Sequence, residues 1–183
     1  MLDIGVEVTE KARYRNSIRS ERLLKDAFVA LAANGERISV SALCRQADLN
    51  RSTFYAHYDS VDDLEARLVE DLMDGLAKVL KDTLANAFRD NPRPALEAIG
   101  SYVASNQALL KLLLTSNASF DFGDRLRREL LVTVGHARLE DEIRFDYVAG
   151  GLSSVFRTWV LEQYGSIPMR DVVEPAVRCV QNA

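Results

Sequence analysis

Arg51, Ser52, Thr53, Tyr55 and His57 fall in the eight-residue run RSTFYAHY, which contains no acid. A guanidinium can pair with a guanine edge at two points, and hydroxyl, phenol and imidazole groups can each meet a phosphate oxygen or a base edge. This is binding chemistry aimed at a nucleic acid. Bond-making chemistry has no comparable constellation. His57 and His136 are the two histidines, too few for a His-rich metal site, and Cys44 and Cys179 have neither CxxC nor Cys–His spacing. No glycine-rich phosphate loop, nucleophile elbow or H-E-x-x-H occurs, and the many acids are scattered over helix faces. The expectation is a protein that is not an enzyme and uses no metal and no cofactor.

A short helix would hold such side chains outward. Asn50 is a good N-cap for one, since its side-chain oxygen can accept a first-turn backbone N–H. At 100° per residue Phe54 and Tyr58 fall on one side, ready to join Leu43, Ala47 and Leu49 in a small core. Ser52 and Ala56 point the opposite way, Arg51 and Tyr55 form one shoulder, and Thr53 and His57 the other. Ala56 is small enough to let the helix approach base edges. A plain surface helix carries Glu and Lys on its outer face; a solvated helix in a generic helical domain is the competing reading.

The element before it runs from Ser39 to Ala47, with Val40, Leu43, Cys44 and Ala47 on one face at helical spacing. Ser39 is its plausible N-cap, Ser41 is placed to face DNA from its first turn, and Arg45 meets either a phosphate or solvent. Asp48 stands where the chain must turn sharply, and Asp tolerates left-handed backbone angles better than most residues. Together these form a helix-turn-helix, which lays its second helix in the DNA major groove. A supporting first helix is expected from about Ser17 to Asn34, buried through Leu23 or Leu24, Ala27, Phe28 and Leu31, and ended by Gly35. Residues 1–15 lack a period and read as a flexible basic arm; Lys11, Arg13, Arg15 and Arg19 either follow the phosphate backbone or enter the minor groove, and a solvated tail is the alternative.

Charge is divided in the same sense. The chain of 183 residues carries a net charge of −4. From Glu10 to Tyr58, however, nine basic residues stand against five acids, whereas from Asp59 onward fourteen stand against twenty. A basic head on an acidic body suits a DNA-binding unit whose remaining mass stays off the phosphates. No apolar run approaches the ~18 residues of a membrane span, and the N-terminus does not read as a secretory signal. Two distant cysteines without such a signal suggest reduced thiols and a cytoplasmic location.

The run from about Ser17 to Leu68 resembles the TetR family of bacterial transcription regulators. The match lies in the helix-turn-helix, then Thr53-Phe54-Tyr55-Ala56-His57-Tyr58, then a long helix opening Ser60-Val61-Asp62-Asp63-Leu64. Two departures stand out: the family's common turn glycine is Asp48, and the lysine that often contacts a phosphate at the start of the fourth helix is Val61. The resemblance implies a homodimer on a palindromic double-stranded DNA operator. Its DNA-facing residues would be Ser39, Ser41, Asn50, Arg51, Ser52, Thr53, Tyr55, Ala56 and His57.

Beyond the head, Ser60 and Asp63 form a capping signal. Leucines at 64, 68, 72, 76, 80 and 84 then carry a helix to about Arg89, where Asn91-Pro92-Arg93-Pro94 breaks it. Such a helix is a mechanically sensible lever between body and head. Further helices are expected over 95–105, 107–115, 122–137, 141–164 and 168–181, with Pro175 kinking or shortening the last. Tyr102, Asn106, Asn117 and His136 are polar residues among apolar ones, and are candidates to orient an effector, a small molecule or a protein. Gly150, Gly151, Ser154 and Trp159 sit in a helix rich in small residues, where close approach of another helix must offset the glycines. A second copy of the chain is the natural candidate, and packing within the chain is the alternative. The segment 102–107, Leu113-Leu114, Phe120, Gly151 and Trp159 are similar to a subgroup of TetR C-terminal domains related to the activator of dihydroxyacetone utilisation.

The expected architecture is all-α, with about nine helices. Residues 1–15 form the arm, 16–59 the three-helix DNA-binding head, and 60–183 a helical ligand-binding and dimerisation bundle. The competing functional class is a helical protein-interaction module, in which Leu109–Leu114 is a partner surface rather than a cavity wall.

Overall fold

In a computed structural model, the chain is described over residues 4–84, 91–115, 124–125, 127–129, 132, 139–162 and 166–181. Among these residues there are eight complete helices and no strand: α1 (Ile4–Ala33), α2 (Val40–Ala47), α3 (Arg51–Tyr55), α4 (Val61–Leu84), α5 (Arg93–Ser105), α6 (Gln107–Thr115), α7 (Leu139–Val160) and α8 (Met169–Gln181). Helical residues at 124–125, 127–129 and 132 fall inside the segment where a further helix was expected. The chain divides into two compact units, Met1–Val69 and Glu70–Ala183, with the division inside α4.

In the first unit α1 packs on α2, and α2 on α3. Leu24, Ala27, Phe28 and Leu31 of α1 and Ala42, Leu43, Cys44 and Ala47 of α2 are all buried. Both helices stop in the same way. Gly35, at φ +67°, donates its N–H to Ala32 O, and Glu36 donates to Leu31 O. Asp48, at φ 52° and ψ 46°, repeats the pattern, its N–H on Arg45 O and that of Leu49 on Cys44 O. Each left-handed residue thereby satisfies carbonyls that a helix end leaves unpaired. One expectation is corrected: α1 begins at Ile4, thirteen residues before Ser17, so the stretch read as an aperiodic arm is helical from that point.

The second unit is built around α5. Leu96, Ile99 and Val103 are fully buried, and α5 packs on α6, α7 and α8. Gly100 lets α8 come close, since a Cβ there would lie 2.7 Å from Val173 Cγ2. Arg93 clamps the same pair, donating to both carboxylate oxygens of Glu174 at 2.7 and 3.2 Å. That hydrogen-bonded guanidinium holds the Glu174 carboxyl below its ordinary range. Helix α7 ends at Val160, four residues earlier than expected, with Glu162 left-handed just beyond it. Pro175 does not shorten α8, which continues to Gln181.

Candidate nucleic-acid interface

Helix α3 is organised by one side chain. Asn50 is extended (φ −85°, ψ 162°), and its Oδ1 accepts from the Thr53 N–H at 2.8 Å, Thr53 Oγ1 at 2.8 Å and Ser52 Oγ at 2.6 Å. Three donors converge on a single cap oxygen, so the first turn is fixed before any ligand arrives. Phe54, fully buried, and Tyr58, nearly so, anchor the segment to the head. Their rings lie 5.8 Å apart, and Tyr55 meets Phe54 edge-on at 5.4 Å.

The opposite side is open. Arg51, Ser52, Tyr55 and Ala56 are exposed, as are Ser41 and Asn50. Tyr55 keeps 54% of its surface despite its aromatic neighbour. Among the described residues Arg51 enters no ion pair. Its field reaches the buried Cys44 thiol, which burial pushes up and Arg51 pulls part of the way back. Ser39 serves as the α2 N-cap, taking the Ala42 N–H at 3.3 Å.

The helix differs from expectation at its end. It stops at Tyr55, because the His57 N–H reaches back only three residues, to Phe54 O at 2.9 Å, and tightens the last turn. Thr53 and His57, on one shoulder of the outward face, are half-buried. His57 Nε2 lies 2.8 Å from Ser20 Oγ, and that hydroxyl is 3.0 Å from both Asn16 O and Ser17 O. The pair ties α1 to the segment that closes α3, with the direction of the bond set by the imidazole tautomer. Sequence reasoning passed over Ser20, although it lies four residues before Leu24 on the buried face of α1. A polar residue on an apolar stripe was the available signal.

The effector candidates resolve unevenly. Tyr102 Oη donates to Leu72 O of α4 at 2.7 Å, and burial, then Asp71 and Asp74, hold its phenol above the ordinary range. Asn106 ends α5, its Nδ2 donating to Tyr102 O at 2.8 Å. Both groups are engaged within the fold. Asn117 and His136 lie outside the described residues. Of the candidate dimer residues, Gly150, Gly151 and Ser154 are exposed, whereas Trp159 is half-buried and donates Nε1–H to Ile167 O at 3.0 Å. The two glycines border an apolar groove of about 640 Å3 between α7 and α8. Among the described residues no group of His, Cys, Asp and Glu forms a metal cage, and no helix is long and apolar enough to cross a membrane.

No protein-family model and no curated relative matches the chain. Three solved structures do match. A dihydroxyacetone kinase operon activator, DhaS, is 17% identical with a TM-score of 0.66 over 89% of this chain and 94% of its own. A TetR transcriptional regulator from Streptococcus agalactiae 2603V is 23% identical, with a TM-score of 0.62 over 93% and 98%. Another from Rhodococcus sp. RHA1 is 16% identical, with a TM-score of 0.59 over 91% and 96%. The chain has the fold of TetR-type regulators.

Proposed function

We propose that this protein is a TetR-type transcription regulator that binds double-stranded DNA as a homodimer, each copy presenting α3 to one major groove of a palindromic operator. The observation that carries the reading is the sidedness of α3. Phe54 and Tyr58 are buried beneath it, and its outward face, Arg51, Ser52, Tyr55 and Ala56, is exposed and free of acids. Arg51 is the base reader, in a bidentate guanine contact worth about 1–3 kcal/mol against a wrong base. Tyr55 and Ser41 meet phosphates or groove edges. The two half-sites lie one helical turn apart, about 34–36 Å, or slightly more.

Dimerisation is supported by the groove between α7 and α8. A Cβ built on Gly150 or Gly151 meets nothing within 4 Å, so nothing described in the chain requires a glycine at either place. Each glycine costs about 1 kcal/mol inside a helix, and the α7 face of a second copy is the partner that would offset it. Regulation enters through the body, where an effector shifts the population of DNA-competent dimers by its differential affinity for the two states. The similarity to an operon activator makes activation as compatible with this fold as repression.

The test is a mobility-shift titration with duplex recovered by binding-site selection from random-sequence DNA. The expected result is a salt-sensitive shift that is lost when Arg51 and Tyr55 are both changed to Ala. A wild-type protein that shifts no duplex, or a double variant that binds as well as wild type, overturns the assignment.

A further inference from the structure

Helix α1 read as scaffold in the sequence, but part of it shares a concavity with the DNA-facing helix. On one wall stand Asn16, Ser17 and Arg19; on the other stand Ser52, Thr53 and His57. Ser20 also lines it, and its 2.8 Å hydrogen bond with His57 links the two walls. Asn16, Ser17 and Arg19 are exposed, and Arg19 enters no ion pair among the described residues. Asp48 lines the same groove.

We propose that this groove seats one sugar–phosphate strand of bound duplex, with Arg19, Asn16 and Ser17 donating to consecutive phosphate oxygens. The inference rests on the DNA-binding reading of α3 and adds a second contact surface to it. A helix lying in the major groove has a phosphate backbone on either flank. The face of α3 that carries Ser52 and Ala56 opens directly into this concavity, so the strand on that flank meets α1 rather than solvent. Amide and hydroxyl donors with one guanidinium suit a phosphodiester, which offers acceptors only. They carry no base-edge information, so the seat sets register and affinity while α3 sets sequence preference.

The seat is tested with the selected duplex, measuring the dissociation constant at a series of salt concentrations. Neutralising one phosphate contact lowers the slope of log K against log salt by about 1. Arg19→Ala is therefore expected to lower the slope by about that amount, weaken all operator variants by the same factor and leave their ranking unchanged. Ser17→Asp, which adds a charge to the groove, is expected to weaken binding further. Ethylation interference adds a direct readout: one phosphate per half-site that blocks the wild type ceases to matter for Arg19→Ala. Arg37→Ala, on the exposed loop after α1 and outside the groove, keeps the wild-type slope. Should Arg19→Ala and Ser17→Asp, melting as wild type does, keep both its slope and its interference pattern, the seat is refuted while the α3 reading stands. A wild type that binds no duplex removes both.

Discussion

Changing Gly75 to Ala should destabilise this protein, although helix propensity says the opposite. Gly75 lies inside α4, where alanine is favoured over glycine by about 1 kcal/mol. The added methyl carbon would lie 2.2 Å from Tyr102 Oη, 2.8 Å from Cζ and 3.0 Å from Cε2. Those atoms belong to one rigid ring, so the hydroxyl cannot step aside alone. Restoring an ordinary contact of about 3.5 Å requires the whole ring to shift by about 1 Å. The shift breaks the 2.7 Å bond from Tyr102 Oη to Leu72 O, on the same helix one turn earlier. Overpacking of this kind costs about 1–3 kcal/mol and the lost hydrogen bond about 0.5–1.5 kcal/mol. Against a gain of about 1 kcal/mol, the net loss is about 0.5–3.5 kcal/mol.

Urea unfolding followed by circular dichroism reads this as a lower midpoint at unchanged m. In a thermal melt each kcal/mol corresponds to about 2–4 °C for a chain of this length. The decisive control is the background. With Tyr102 already changed to Ala the obstacle is gone, only propensity remains, and Gly75→Ala should stabilise by about 1 kcal/mol. The same substitution thus changes sign with the residue opposite it. If Gly75→Ala raises the midpoint equally in both backgrounds, the packing of Tyr102 against α4 is not what is described above.

Three further outcomes follow from the same geometry. Tyr102 has a raised phenol pKa in the fold, so its contribution is fully present below the ordinary tyrosine value of about 10 and is lost as pH rises through the folded value; Tyr102→Phe should flatten the alkaline decline in melting temperature. Asn50→Ala removes the acceptor of three donors and should cost about 0.5–2 kcal/mol, with the Thr53 amide losing hydrogen-exchange protection, whereas Asn50→Asp should retain it. Gly151→Glu places a charge in open space on the α7–α8 groove, so the fold should melt almost as wild type while sedimentation changes from dimer to monomer.

The head was legible because its signals are local. Asp48 and Gly35 mark left-handed turns through their own backbone preferences, and Ser39, Asn50 and Ser60 cap through atoms two or three residues away. The start of α1 was not legible, because periodicity detects a buried stripe rather than helicity. Ile4 to Arg15 shows no such stripe, yet Glu10, Lys11, Ala12 and Arg13 are good helix formers and the helix runs through them. The partners of Tyr102 and Asn106 were not legible either, because they are carbonyl oxygens, of Leu72 and of Tyr102 itself. Every residue has a carbonyl, so no pattern of side chains reveals which one a hydroxyl or amide will find. The contact of His57 was hidden for a related reason: its partner Ser20 is 37 residues away in the chain.

Gly75, Gly100, Gly150 and Gly151 carry the same propensity cost, and comparing them separates what the chain does alone from what it does with a partner. Gly75 and Gly100 are each filled against, by Tyr102 in one case and by Val173 and Met169 in the other. Burial and close packing there offset the lost helix stability within a single copy. Gly150 and Gly151 face open space, beside exposed Tyr147 and an apolar groove. Two uncompensated glycines in one turn amount to about 2 kcal/mol, a sizeable part of a net stability of about 5–15 kcal/mol. A close helix crossing from a second copy recovers that cost only if both copies bring their glycine faces together, as a two-fold interface requires. That pairing is the homodimer proposed above, and a palindromic operator is the demand it would place on the DNA.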